Sequence, residues 1–408
     1  MNPPDVRDVT TAYVHKDGRR AATLTRTDRG TEFTYERDYL DSALVPVATT
    51  LPMTDAPVVT SGRSVPAFFA GVLPEGRRLT ALRRHLKVSA DDELSMLLAV
   101  GQDPVGDVSV TPTPELPTTE VPHAREQAFG DILFADLLAD HGLSDPSALA
   151  GVQDKVSGRM ITVPLRHDGG LHLLKLTPPE LPKLVENEAF FLRHAAGLPI
   201  PVVEWEVVTD RSGASGLLVT RFDRVRGPDG LGRLPVEDAT QLLRLYPGDK
   251  YSIRTEALAE AVGAACASRP LAIRSVFVQV VWAWLSGNGD LHGKNVSVVG
   301  RATTAGGTVQ PELTVAPMYD IPSTIPYRDH ELALPVGGSR EGVTRRRLLE
   351  FAEDVGLPER AARTALVTTL TVAVKMLADI RAGGSPWRGK ARDDLVRALE
   401  VRIRQVET

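Results

Sequence analysis

Asn288-Gly-Asp290-Leu-His292-Gly-Lys294-Asn295 sets five polar side chains in eight residues, between the apolar run Val276 to Leu285 and the strand-like stretch Asn295 to Val299. A polar loop gripped by two rigid elements is where a fold presents side chains that act on a ligand. Asp290 and Asn295 keep the Asp-x-x-x-x-Asn spacing of phosphoryl-transfer loops, in which the carboxylate orients or accepts a hydroxyl proton and the amide holds Mg²⁺. His292 and Lys294, inside the loop, are further catalytic candidates. Such a loop needs a second carboxylate for the metal. Pro317-Met-Tyr-Asp320 supplies it after the short strand Leu313 to Val315, so Asn295 and Asp320 form the expected metal pair.

The phosphate side of the same chemistry calls for a lysine on a strand, a glutamate from a nearby helix and a glycine-bearing loop. Lys175 lies in the otherwise apolar Leu171-His-Leu-Leu-Lys-Leu176, and a helix expected from Val185 to Ala196 carries Glu188, with Glu186 as the alternate partner. Ala150-Gly151-Val152-Gln153-Asp-Lys155 is the loop candidate. Lysine is scarce here, nine residues in 408, and three of the nine (155, 175 and 294) fall in these motifs. Thr220-Arg-Phe222-Asp-Arg224 ends a strand and offers hinge backbone groups to an adenine through Thr220 and Phe222, or simply salt-bridges an edge.

Composition bounds the rest. With 42% hydrophobic and 24% charged residues the chain is of ordinary globular type, and a net charge of −5 argues against bulk nucleic-acid binding. Cys266, the only cysteine, rules out an internal disulfide or a cysteine-built metal site and suits a reducing cytoplasm. Met1 to Arg20 lacks an apolar leader segment, and no unbroken apolar run approaches a membrane span, so a cytoplasmic chain is expected. Gly384 to Lys390 nearly spells a phosphate-binding loop, but Ala391 replaces the metal-binding hydroxyl and the segment joins two helices.

Three parts are expected: a mixed module over 1–120, closed by the proline-rich Thr111 to Pro122; a strand-rich nucleotide-binding lobe over 121–252; and a helical lobe over 253–408 with the catalytic loop. Expected strands include Tyr13 to Thr25, Arg159 to Leu165, Leu171 to Leu176, Val202 to Val208 and Leu217 to Val225. Expected helices include Phe129 to Ala139, Ile273 to Ser286 and Glu359 to Arg381, with a flexible loop over Thr303 to Gly307.

Taken together, the motifs resemble those of HipA-type toxin kinases, the serine/threonine kinase half of bacterial type II toxin–antitoxin modules. The resemblance runs through Phe68 to Arg77, Gly151 to Lys155, Glu186 to Glu188, Arg221 to Arg224, Glu237-Asp238 with Gln241, Asp290 to Asn295, Tyr319-Asp320 and Leu334 to Gly338. It implies an α+β, bilobal protein-kinase-like fold with a small mixed amino-terminal module and a mainly helical carboxy-terminal lobe. It further implies MgATP as cofactor, Asp290 as base, Asn295 and Asp320 on Mg²⁺, and Lys175 on the α- and β-phosphates. The implied partners are a protein bearing Ser or Thr, an aminoacyl-tRNA synthetase in some members, and a small helix-turn-helix antitoxin of the HipB type that makes most of the DNA contacts. The family's autophosphorylated serine falls on Ala148, one step from Ser147, so that route of self-inactivation is not expected to carry over unchanged. Two other readings stand beside this one: a small-molecule kinase resembling aminoglycoside phosphotransferases, and a non-catalytic pseudokinase that binds an antitoxin.

Overall fold

Apolar residues at every second position of Thr11 to Val14 and Ala22 to Leu24 build a hairpin, and the Asp17-Gly18 turn between them takes positive φ at both residues (48° and 75°), as a two-residue hairpin turn requires. In this computed structural model residues 5–42, 45–101, 103–116, 128–140, 160–227, 230–305 and 308–408 are described. The chain begins with β1 (Thr11–Lys16), β2 (Arg19–Thr27), β3 (Gly30–Tyr35), α1 (Arg37–Asp41), β4 (Val58–Thr60), α2 (Ala67–Val72), α3 (Gly76–Leu86), α4 (Glu93–Val100) and β5 (Val108–Thr111). It continues through α5 (Phe134–Asp140), β6 (Ile161–His167), β7 (Gly170–Leu176), α6 (Leu184–Ala195), β8 (Trp205–Thr209) and β9 (Ser215–Thr220). Then come β10 (Arg224–Gly227), β11 (Gly230–Arg233), β12 (Val236–Asp238), α7 (Ala239–Leu242), α8 (Thr255–Ala265), α9 (Arg269–Ser286), β13 (Ser297–Ala305), β14 (Thr308–Val315), α10 (Arg345–Asp354), α11 (Glu359–Arg381) and α12 (Gly389–Glu407). Strands and helices occur together throughout, giving the expected α+β class.

The chain forms two units, neither continuous in sequence: residues 1–123, 223–249 and 297–314 in one, and 124–222, 250–296 and 315–408 in the other. The three-part division at 120 and 252 is sequential, whereas these units are interleaved. In the first unit, the antiparallel sheet β4-β3-β2-β1-β5 buries Val14, Leu24 and Phe33 against Phe69, Leu94 and Leu97. Two of the family-like stretches hold one another here. Asp238 and Gln241 form a capping box at the start of α7, and the Gln241 amide donates to the Phe68 carbonyl (2.8 Å). Glu237 accepts from the N–H and hydroxyl of Thr49 (2.8 and 2.9 Å).

The second unit carries the antiparallel sheet β6-β7-β9-β8 and the helices α5, α6 and α8 to α12. Leu174 and Leu176 of β7 pack with Leu218 and with Phe134 and Leu137 of α5, while α6 packs on the sheet with Lys175 reaching its side chain. Because both faces of β7 are covered, both are apolar, which is why its alternation is faint in the sequence. Helix α9 is buried along nearly its whole length and packs against α8, α11 and α12. Helix α11 is long and apolar enough to cross a membrane by length and composition, which a search for an unbroken apolar run passes over. Its stripe of Ala362, Leu366, Thr369, Ala373, Met376 and Ile380 is buried in the unit instead.

Several boundaries differ from expectation. Leu217 to Val225 is not one strand: β9 stops at Thr220, and Arg224 opens β10 in another sheet, where its guanidinium bonds Asp223 (2.6 Å) and Asp103 (2.6 Å). Val202 makes only an isolated bridge to Met318, so β8 starts at Trp205. The helix expected from Phe129 begins at Phe134, whose N–H is held by Asp210 (2.9 Å). Asn295 lies in a 3₁₀ turn ahead of β13, and residues 303–305 extend that strand.

Candidate active site

Helix α9 ends at Gly287 in the left-handed region (φ 72°), where a β-carbon would meet Ile325 Cδ1 at 2.2 Å. At Gly289 a β-carbon would meet the Glu331 carbonyl at 2.5 Å and the Thr324 hydroxyl at 2.6 Å. These close approaches bring the loop onto the segment that follows Asp320. The Gly287 carbonyl accepts from Thr324 N–H (2.8 Å), and Gly289 N–H donates to the Thr324 hydroxyl (3.0 Å). Between these anchors the Asp290 backbone is clamped. Its N–H donates to Asn288 Oδ1 (2.8 Å), and its carbonyl accepts from the His292 N–H (2.8 Å) and from Asn295 Nδ2 (2.8 Å). Asp290 is fully buried. Its Oδ1 accepts from the Tyr251 hydroxyl (3.1 Å) and lies 3.9 Å from His292 Nε2. The His292 Nδ1 accepts the Lys294 N–H (3.2 Å), which leaves Nε2 to carry the ring proton.

Lys175 Nζ on β7 donates to Glu188 Oε1 on α6 (2.7 Å) and to Asp320 Oδ1 (3.0 Å). Of the two acidic candidates on α6, Glu188 is therefore the lysine's partner. Burial pulls the Lys175 ammonium down, but the Asp320 and Glu188 carboxylates outweigh it and hold its pKa above the ordinary lysine range. Burial pushes the Glu188 carboxyl up against the pull of Lys175, and the Asp320 charge adds to the push. Lys175 therefore stays charged, and Glu188 takes a proton more readily than an ordinary glutamate.

Asp320 has φ 56°, a left-handed conformation unusual for a residue with a side chain and characteristic of strained functional positions. Tyr319 ties this segment to the loop by donating to the Lys294 carbonyl (2.8 Å), and Asn187, beside Glu188, donates to the Ser323 carbonyl (2.8 Å). The loop, the Asp320 segment and α6 are thus joined by direct hydrogen bonds. Of these braces only Tyr319 and Asn187 fall within motifs singled out in the sequence. Tyr251 and Thr324 follow no spacing rule.

The donor set fits Mg²⁺. The Asn295 amide nitrogen is committed to the Asp290 carbonyl, so its oxygen is the group left for a cation, and Asp320 adds a carboxylate; both are hard oxygen donors. Among the described residues no group of three or more His, Cys, Asp or Glu is placed to hold a metal. The protein would supply two ligands and leave the remainder to phosphate and water, as Mg²⁺ sites commonly do.

At the strand end, Thr220 and Arg221 donate their backbone N–H groups to Glu204 (2.9 Å) and Leu171 (3.0 Å). Phe222, its ring 5.7 Å from that of Tyr319, is the first residue beyond them whose N–H has no such partner among the described residues. Gly151, Val152, Gln153 and Lys155 of the loop candidate lie outside the described residues, as do Ser147 and Ala148.

Residues 147–377 match the HipA-like C-terminal domain family and residues 12–111 match the HipA N-terminal domain. The serine/threonine-protein kinase toxin HipA of Shewanella oneidensis is 25% identical over 367 residues, covering 83% of this chain and 80% of that protein. Y4mE of Sinorhizobium fredii, named as a candidate kinase, is 28% identical over 344 residues, covering 79% of each. A chain of the solved Shewanella oneidensis MR-1 complex of HipA, HipB and operator DNA matches with a TM-score of 0.75, covering 97% of this chain and 96% of that one. At 20% identity, that likeness is one of fold.

Proposed function

The chain belongs to the HipA-like family, and from that premise we propose that it is a MgATP-dependent protein serine/threonine kinase, the toxin of a type II toxin–antitoxin pair. The observation that carries this reading is the Lys175–Glu188–Asp320 cluster bonded through its neighbours to the loop that holds Asp290 and Asn295. Lys175 is a cation held at a fixed place by two carboxylates, suited to take hold of nucleotide phosphates. Asp290 is a buried, backbone-clamped carboxylate that would orient an acceptor hydroxyl and take its proton as the γ-phosphoryl group passes to that oxygen and ADP leaves. His292 and Lys294 add donors within the same loop. Asn295 and Asp320 would hold Mg²⁺, which when bound neutralises charge on the transferring phosphoryl group. The Phe222 N–H is the hinge donor offered to an adenine, and the loop over Gly151 to Lys155 is assigned to the phosphates. The substrate is a cytoplasmic protein bearing Ser or Thr. The partner is a small helix-turn-helix antitoxin; with a net charge of −5, this chain meets DNA through that partner.

The test is to incubate the purified protein with MgATP and a bacterial lysate, and to express it in growing cells. Wild type should phosphorylate Ser or Thr on lysate proteins and arrest growth, and Asp290→Ala should do neither while still binding ATP. Equal toxicity of the two would point to a non-catalytic binder. Aminoglycoside resistance without toxicity would point to a small-molecule kinase.

A further inference from the structure

The main chain of Asp290 is fixed on three sides, by Asn288, His292 and Asn295, so the freedom that remains to this residue is rotation of its carboxylate about the side-chain bonds. We infer that Tyr251, from outside the loop, sets that rotation, and that it is a positioning residue for the proposed base. This rests on the kinase reading above. The Tyr251 hydroxyl donates to Asp290 Oδ1 (3.1 Å), which fixes the orientation of the other oxygen and supplies a donor that a fully buried carboxylate requires.

Tyr251 is itself held in place. Its carbonyl accepts from Arg340 Nη2 (2.9 Å), and the preceding carbonyl, of Lys250, accepts from Gly293 N–H in the loop (3.1 Å). Its ring meets the His292 ring edge-to-face at 5.0 Å, and Lys250 Nζ lies 5.2 Å from the Tyr251 ring centroid. The ring therefore stays put when the hydroxyl is removed, and Tyr251→Phe deletes the hydrogen bond to the base while keeping the ring.

Misplacing a catalytic group by a fraction of an ångström to an ångström costs up to about 100-fold in rate, and a general base contributes about 10²- to 10⁴-fold in all. Loss of the Tyr251 hydroxyl should therefore lower kcat by about 10- to 100-fold. The experiment measures MgATP-dependent phosphorylation of lysate proteins over a range of ATP concentrations for wild type, Tyr251→Phe and Asp290→Asn, with a fluorescent ATP analogue for binding. The expected result is a fall in kcat for Tyr251→Phe with KM for ATP and analogue affinity within twofold of wild type, and no measurable transfer for Asp290→Asn. Wild-type kcat in Tyr251→Phe beside an inactive Asp290→Asn overturns this inference and leaves the kinase reading standing. Wild-type transfer by Asp290→Asn overturns the kinase reading itself. Joint loss of turnover and nucleotide binding in Tyr251→Phe would make the hydroxyl a support of the fold, and would also overturn the inference.

Discussion

Replacing Lys175 with methionine removes a cation that bonds two carboxylates while keeping a side chain of similar length. Glu188 is 1% exposed and Asp320 17%, so the charges left behind are poorly solvated. Breaking a buried ion pair from one side costs about 3–5 kcal/mol, because the remaining charge is neither solvated nor paired. We expect Lys175→Met to lose about 3 kcal/mol at pH 8, which at an m of about 2 kcal/mol/M is a shift of about 1.5 M in the urea midpoint. The reporter is built in: all four tryptophans, 205, 282, 284 and 387, lie in the unit that holds Lys175, so their fluorescence follows that unit. Lys175→Met/Glu188→Gln, which also removes the buried acid, should recover at least about 2 kcal/mol. The pH dependence has a definite sign. Burial raises the folded pKa of Glu188 above its unfolded value of 4.5, and Lys175 pulls against that push, so its removal lets the folded value rise further. The folded state then binds the extra proton, so stability is fully present below about pH 4.5 and is lost as pH rises through the raised folded value. The deficit of Lys175→Met should therefore shrink from pH 8 to pH 5. A deficit below 1 kcal/mol, one that does not change with pH, or a double variant no more stable than the single would refute the reasoning.

Gly289→Ala drives a methyl into the Glu331 carbonyl and the Thr324 hydroxyl, and should cost about 1–3 kcal/mol in urea denaturation and lower phosphoryl transfer with it; an unchanged midpoint would contradict the packing. Asn187→Ala cuts the tie from α6 to the Asp320 segment, and should cost about 1–2 kcal/mol and raise KM for ATP several-fold, read by denaturation and kinase kinetics. Burial lowers the pKa of His172 and His194 below the ordinary imidazole value of 6.5. Stability from excluding their protons is complete above about pH 6.5 and is lost as pH falls through the lower folded values, opposite in sign to the Glu188 contribution. The tryptophan-monitored urea midpoint of wild type should therefore fall relative to that of His194→Gln between pH 7.5 and 5.

The residues proposed to carry the chemistry stand out in the sequence because their types and spacing are restricted. Asp290 and Asn295 stand in a dense polar loop between apolar elements, and Lys175 interrupts a leucine-rich strand in a chain with few lysines. Tyr251 and Thr324 were not legible, because a hydroxyl that braces a loop from a distant segment can come from any position the fold brings near. The choice between Glu186 and Glu188 turns on two positions of a helix, which point to nearly opposite sides, and the register that decides it is set by the packing of α6. The place of the break after Thr220 is faint in the sequence, because Phe222 and Val225 continue the apolar content of the stretch while the chain changes sheets. Patterning gave the mix of strands and helices and the family resemblance gave the fold class, but neither shows the interleaving of the units, since it depends on pairings such as β12 with β13 across some sixty residues.

That interleaving has a consequence for how the polypeptide is made. A ribosome that has released residues 1–123 has not yet delivered 223–249 or 297–314, so the first unit lacks its last segments until residue 314 has been translated. A gene fragment cut at residue 124 would encode two orphaned segments, residues 223–249 and 297–314, without the strands they accompany. Dissecting this molecule into halves by truncation should give insoluble material, and point substitutions in the intact chain are the instrument suited to it.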